Sequence, residues 1–208
     1  MNIRQILGLA PVIPVITIRD VAHAVPLAEA LVAGGLRALE VTLRTPAALD
    51  AIALMRRAVP EAFVGVGTLT RAAQFHQADS AGAQFGVSPG LTDEIAAAAR
   101  TVAWPLLPGI MTPSELLAAL GHGYSSCKLF PAQQAGGVGM LKALNAVFPD
   151  VVFCPTGGIG RQTAGDYLSL PNVACVGGSW VGPEASLAAR DWGHITDLAR
   201  DAATLGGL

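Results

Sequence analysis

The sequence predicts an α/β protein built as a single (β/α)8 TIM barrel over residues 1–208, with a short helix ahead of the first strand. Three observations predict it. One rhythm repeats eight times: a short β-branched run ends in Gly, Pro, Thr or a charged residue, and an Ala/Leu-rich helical segment follows. The strand-like runs are apolar throughout, as in parallel strands covered by helices. The chain is 52% hydrophobic with only 13% charged residues, enough apolar material for a large core within 208 residues. A doubly wound open sheet is the alternative; no Gly-x-Gly-x-x-Gly follows the first strand, which weakens its dinucleotide-binding form.

Taken in order, the short first helix covers residues 2–7. The strands cover 12–18, 38–43, 63–69, 85–89, 105–110, 127–131, 152–157 and 173–178. The helices between them cover 22–33, 46–58, 71–81, 93–101, 113–120, 136–148 and 161–169. A last helix spans 183–205 with a break near 191–193. Thr45-Pro46 and Thr112-Pro113 place Thr as N-cap and Pro at the first helical position, and Thr92 caps the helix that begins at Asp93.

Composition excludes several function classes. A formal net charge of -2 gives no reason to expect nucleic acid or an anionic membrane surface as partner. The longest uncharged run, 167–183, is broken by Pro171 and by Gly177-Gly178, so it is no membrane helix. Cys127, Cys154 and Cys175 all lie in apolar strand-like runs, which reads as buried free thiols in a reducing compartment, the cytoplasm. His23, His76, His122 and His194 lie in helical or loop segments without metal-ligand spacing, so neither a metal nor another cofactor is expected.

In a barrel of this kind the active site is built at the C-terminal ends of the strands. The sixth strand carries Lys128, one of only two lysines, among Cys127, Leu129 and Phe130. Lys142, by contrast, falls on an amphipathic helix and is expected in solvent. A buried lysine is rarely kept unless it is paired or used. Apolar surroundings disfavour the ammonium and favour the neutral amine, a nucleophile towards carbonyls. The alternative is a lysine that snorkels to water. On the second strand Glu40, Thr42 and Arg44 share one face by period-two alternation, either as a self-satisfied pair or as an acid and a cation facing the lumen. Thr68 closes the small-residue run Gly65-Val66-Gly67, and its hydroxyl suits a carboxylate. Gly157-Gly158 and Gly177-Gly178-Ser179 follow the last two strands, where phosphate sites recur in this fold; two plain glycine turns are the other reading.

Together, Glu40-Val-Thr-Leu-Arg44-Thr, Gly65-Val-Gly-Thr68, Ser88-Pro-Gly90, Lys128-Leu-Phe-Pro-Ala132, Pro155-Thr-Gly-Gly-Ile159 and Gly177-Gly-Ser-Trp180 resemble the bacterial KHG/KDPG aldolases. These are class I aldolases of the Entner–Doudoroff pathway, and the resemblance spans nearly the whole chain. It implies that Lys128 forms a Schiff base with a 2-keto group and that Glu40 is the general acid/base. It implies that Arg44, with Thr68 beside it, binds the substrate carboxylate, and that Thr156 contacts the substrate near its reacting end. Gly157, Gly158, Gly178 and Ser179 would hold a phosphate, and Pro89 and Phe130 would shape the pocket. The implied substrate is a phosphorylated 2-keto acid, 2-dehydro-3-deoxy-6-phosphogluconate, with 4-hydroxy-2-oxoglutarate as a second; the implied assembly is a homotrimer. A sugar-phosphate isomerase or epimerase, or a non-catalytic phosphate-sugar-binding barrel, would share the glycine loops but have no use for a buried lysine. One departure stands out: many relatives read Pro-Ala-Glu after the lysine strand, where this chain has Pro131-Ala132-Gln133.

Overall fold

A computed structural model describes residues 1–206 of the chain. Its strands are β1 (Val12–Ile16), β2 (Ala38–Thr42), β3 (Phe63–Gly67), β4 (Gly86–Val87), β5 (Leu106–Leu107), β6 (Gly109–Ile110), β7 (Ser126–Leu129), β8 (Val152–Pro155) and β9 (Val176–Gly178). The helices are α1 (Ile3–Leu7), α2 (Ala24–Ala33), α3 (Ala48–Ala58), α4 (Ala73–Ser80), α5 (Asp93–Ala99), α6 (Pro113–Gly121), α7 (Gly137–Val147), α8 (Arg161–Leu168), α9 (Glu184–Ala189) and α10 (Trp192–Ala203). Every registered strand pair is parallel. One sheet has the order β5-β4-β3-β2-β1-β9, and a second has β6-β7-β8.

The regular ladders form parallel strands in a curled sheet, a half-barrel. Isolated bridges from Phe153 to Val173 and from Thr156 to Gly177 tie β8 to the β9 segment. The expected fifth strand divides into β5 and β6 at Pro108, which has no N–H to give to a ladder.

Two apolar clusters follow from the alternation of side chains along the strands. The larger lies between the sheet and the helices and includes Val41, Val64, Val66, Cys127 and Leu129 from the strands. The smaller lies inside the curl and joins Ile13, Ala38, Phe85, Val87, Leu107, Cys154 and Cys175. Ile6 and Leu7 of α1 complete it from below and are fully buried. Full burial of side chains of this size is worth about 1.5–3 kcal/mol each. The short N-terminal helix therefore acts as a plug, held by a reciprocal cap between Asn2 and Gln5.

Helix starts agree with the sequence at two of three sites. Thr92 Oγ1 accepts from Ile95 N–H, and Thr112 Oγ1 accepts from Glu115 N–H while Glu115 Oε2 accepts from Met111 and Thr112 N–H. Thr45 is not an N-cap. Its hydroxyl donates to the Ile18 carbonyl, and α3 begins three residues later without a side-chain cap. The expected break in the last helix is present: Arg190 adopts φ 55° and separates α9 from α10.

Burial pushes the Glu115 carboxyl up, but the Met111 and Thr112 hydrogen bonds favour its charged form and leave it below its ordinary value. Its contribution is present above the ordinary carboxylate range and is lost as pH falls through the depressed value. Thr112→Ala is expected to cost about 1 kcal/mol in urea unfolding at pH 7. Glu115→Gln should flatten the acid limb of the same stability curve, measured from pH 5 downward.

Candidate active site

Because all registered strands are parallel, their C-terminal ends meet at one edge of the curl. The chemistry-bearing residues stand there. Glu40 is the third residue of β2, and Lys128 the third of β7. Both point inward and are almost fully buried, at 3% and 5% exposure. Lys128 Nζ lies 3.4 Å from Glu40 Oε1 and 5.2 Å from the centre of the Phe130 ring. Lysine 128 thus does not snorkel. Its surroundings are not purely apolar either, since it is paired with the acid that faces it. Lys142 is exposed, as expected.

Small residues make the pair possible. A Cβ added at Gly67 would fall 2.2 Å from Glu40 Oε1, and one at Gly65 would strike the Phe85 ring at 2.4 Å. These glycines are places where side chains from neighbouring strands cross the sheet surface. Thr68 follows with φ 66°, a left-handed conformation uncommon for a β-branched residue and characteristic of functional positions. Thr42 is fully buried, and its hydroxyl donates to the Ile16 carbonyl at 2.8 Å.

Arg44 lies just beyond β2 on the Glu40 face. It is exposed and makes no ion pair among the described residues. It lines a cleft of about 690 Å³ together with Val15, Thr17, Ser179 and Trp180. Lys128 and Glu40 are not part of this cleft's wall; they lie deeper, and Arg44 links the two regions through the shared face of β2. Across the rim Arg19 Nε donates to Glu184 Oε1 at 3.1 Å, an exposed pair of little energetic weight. Pro89 stands half-buried beyond β4.

Thr156 is buried and bridges to Gly177, where an added Cβ would fall 2.2 Å from its hydroxyl. Gly157 and Gly158 have φ of 102° and 76°, conformations that L side chains rarely adopt. The backbone N–H groups of Gly157, Gly158 and Ser179 donate to no protein acceptor among the described residues. Gly178 lies against the Trp180 ring. Sequence reasoning had not singled out Thr17. Its place becomes visible only from the pairing of β1 with β2, in which Val15 is opposite Glu40.

The thiols nearby are kept protonated. The hydrogen bond that the Cys175 thiol donates to Cys154, then burial, holds Cys175 well above its ordinary value, and the charges of Cys154 and Glu40 add to this. Burial pushes Cys127 up to about 12. Neither competes with the amine as a nucleophile.

A buried amine beside an acid, under a cleft with an unpaired guanidinium and free N–H groups, suits carbonyl chemistry on an anionic substrate. Comparison with known proteins agrees. The family model described as KDPG and KHG aldolase matches residues 3–198. The chain belongs to that family.

Among curated relatives, the KHG/KDPG aldolase of Escherichia coli K12 is 50% identical over 198 residues, covering 95% of this chain and 93% of that protein. Among solved structures, the KDPG aldolase of Legionella pneumophila, with pyruvate captured as a covalent carbinolamine, superposes with a TM-score of 0.94 at 48% identity, covering 96% of this chain and 97% of that one. The 2-keto-3-deoxy-6-phosphogluconate aldolase of Zymomonas mobilis ZM4 with 3-phosphoglycerate superposes with a TM-score of 0.92 at 47% identity, covering 97% and 94%. This family member therefore presents its lysine and acid as a buried contact pair.

Gly67→Ala tests how tightly that pair is confined. The added methyl displaces Glu40, the end of a flexible side chain, rather than backbone. Turnover is expected to fall by about 100-fold, the scale of a misplacement near 1 Å, while the thermal midpoint moves by only a few degrees.

Proposed function

We propose that this chain is a class I aldolase that cleaves 2-dehydro-3-deoxy-6-phosphogluconate to pyruvate and glyceraldehyde 3-phosphate. The observation that carries the reading is the 3.4 Å contact between Lys128 Nζ and Glu40 Oε1 in a buried site. Moving one proton from nitrogen to oxygen turns this pair into a neutral amine and a neutral acid without changing its total charge. The amine attacks C2 of the keto acid and forms a carbinolamine. Glu40 supplies the proton on which water leaves, and the product is an iminium ion. The Glu40 carboxylate, directly or through a water, then takes the proton of the C4 hydroxyl. The C3–C4 bond breaks, its electron pair moves into the iminium, and the aldehyde leaves a neutral enamine behind. Glu40 returns its proton to C3, and water releases pyruvate.

Arg44 takes the C1 carboxylate, with Thr68 beside it. Thr156 meets the substrate near the reacting carbon. The N–H groups of Gly157, Gly158 and Ser179, with the Ser179 hydroxyl, cradle the phosphate, and Gly178, which has no side chain, completes that wall. Pro89 and Phe130 confine the keto acid around Lys128. The same imine chemistry extends to 4-hydroxy-2-oxoglutarate, which keeps the C1 carboxylate for Arg44; the family description and the name of the Escherichia coli relative both include KHG. A sugar-phosphate isomerase or a binding barrel would leave the buried lysine without a task.

The ladder is proposed to close as one eight-stranded barrel over residues 1–208, of which 207–208 lie outside the described residues. The bridges from β8 to the β9 segment support closure, as does the single residue between β5 and β6. We place the protein in the cytoplasm, which suits three unpaired cysteines. We propose a homotrimer, supported by exposed apolar Leu117 and Val147; light scattering should give about three times the 21.2 kDa chain mass.

Incubation with pyruvate and borohydride should add one reduced pyruvate to the protein mass, at Lys128. Lys128→Met should form no adduct and lose cleavage while its circular dichroism stays native. An adduct of unchanged yield in that variant would refute the assignment.

A further inference from the structure

In the sheet, β1 lies between β2 and β9. On one side β2 supplies Glu40 and leads to Arg44; on the other β9 leads to Ser179. Thr17, the first residue past β1, lines the cleft together with Arg44 and Ser179. It follows Ile13 and Val15 on the inward face of the strand, since Ile13 belongs to the inner cluster and Val15 to the cleft wall.

The hydrogen bonds at Thr17 have a fixed polarity. Thr42 Oγ1 is 2.8 Å from the Ile16 carbonyl oxygen, and a carbonyl has no proton to give, so Thr42 donates. Thr17 Oγ1 lies 3.2 Å from Thr42 Oγ1. A hydroxyl has one proton, and that of Thr42 is committed, so Thr17 donates to Thr42. The Thr17 oxygen therefore presents only lone pairs to the cleft. Lone pairs repel a carboxylate or phosphate and suit a neutral group that donates a proton.

We infer that Thr17 accepts a hydrogen bond from the C5 hydroxyl of the substrate and is a specificity-determining residue for the aldehyde half, with Thr42 as the residue that positions it. The inference rests on the aldolase reading. A substrate stretched from Arg44 towards Ser179 passes β1, and it carries two hydroxyls. That on C4 is taken up by Glu40, which leaves the one on C5, beside the phosphate-bearing carbon. Thr42 is fully buried, so its bond to the Ile16 carbonyl is sheltered from water.

The test compares pyruvate release, in a coupled assay, from 2-dehydro-3-deoxy-6-phosphogluconate and from its 5-deoxy analogue. The wild type should prefer the natural substrate by about tenfold in kcat/KM, the scale of one neutral hydrogen bond. Thr17→Val should lose about tenfold on the natural substrate, stay within twofold on the analogue, and so lose the preference. Thr17→Ser should keep it. An equal loss on both compounds would overturn the inference, because Thr17 would then act through Arg44 or through packing. An unchanged preference in Thr17→Val would overturn it as well. Failure of the aldolase reading is separately recognisable: the wild type would release no pyruvate from either compound and form no borohydride adduct.

Discussion

The structure depends on keeping an ammonium-forming group and a carboxyl together in a place that water barely reaches. Opposite charges taken out of water lose hydration worth several kcal/mol per ion, and their mutual attraction compensates only at close range. Either group alone would be an uncompensated buried charge. Lys128 and Glu40 therefore constrain each other. They come from strands far apart in the sequence, and a one-residue slip in register would carry one of them to the helical face. Removing one partner is costly in a way that replacing both is not. The site thus ties the proposed chemistry to the fold: the contact on which the aldolase reading rests also holds two strands in phase.

The space around that contact is divided by depth. Below it lies an apolar floor, closed by Ile6 and Leu7 of the plug helix and containing Cys154 and Cys175 as thiols. Above it the walls turn polar within one or two residues of three strand ends: Arg44 after β2, Thr68 after β3 and Thr156 after β8. Parallel strands make this gradient possible because every strand exits at the same edge. Glycine supplies the remaining requirement. At Gly65, Gly67 and Gly177 a side chain of a neighbouring strand occupies the space that a Cβ would fill. The pocket is shaped as much by these omissions as by the groups that line it.

Much of this was legible in the sequence, for physical reasons that differ by residue. Lys128 was visible because the chain has so few lysines and this one lies in an apolar run. Glu40 and Arg44 were visible through period-two alternation. The cap at Thr112 was visible because its partner is three residues away. Thr45 has the same local wording, yet its hydroxyl bonds the Ile18 carbonyl, 27 residues distant, and no local pattern reveals that. The division of the fifth strand at Pro108 also depends on tertiary pairing. Thr17 was silent because a threonine at a strand end is commonplace. Its character comes from the hydroxyl opposite, which only the register of β1 against β2 supplies.

Gln133 shows how one substitution can be read through the same geometry. Its backbone N–H donates to Gly157 O at 3.1 Å, and its side chain lies where a Cβ on Gly158 would otherwise be, 2.2 Å from Oε1. The side chain therefore borders the loop whose N–H groups form the proposed phosphate cradle. A glutamate, which the family resemblance leads one to expect here, has nearly the same shape but would add a negative charge beside the proposed cradle. Gln133 is exposed, so water screens such a repulsion and keeps it small. An amide fills the same space without that repulsion and can donate a hydrogen bond as well. Gln133 thus borders the Gly157-Gly158 loop without adding a charge to it.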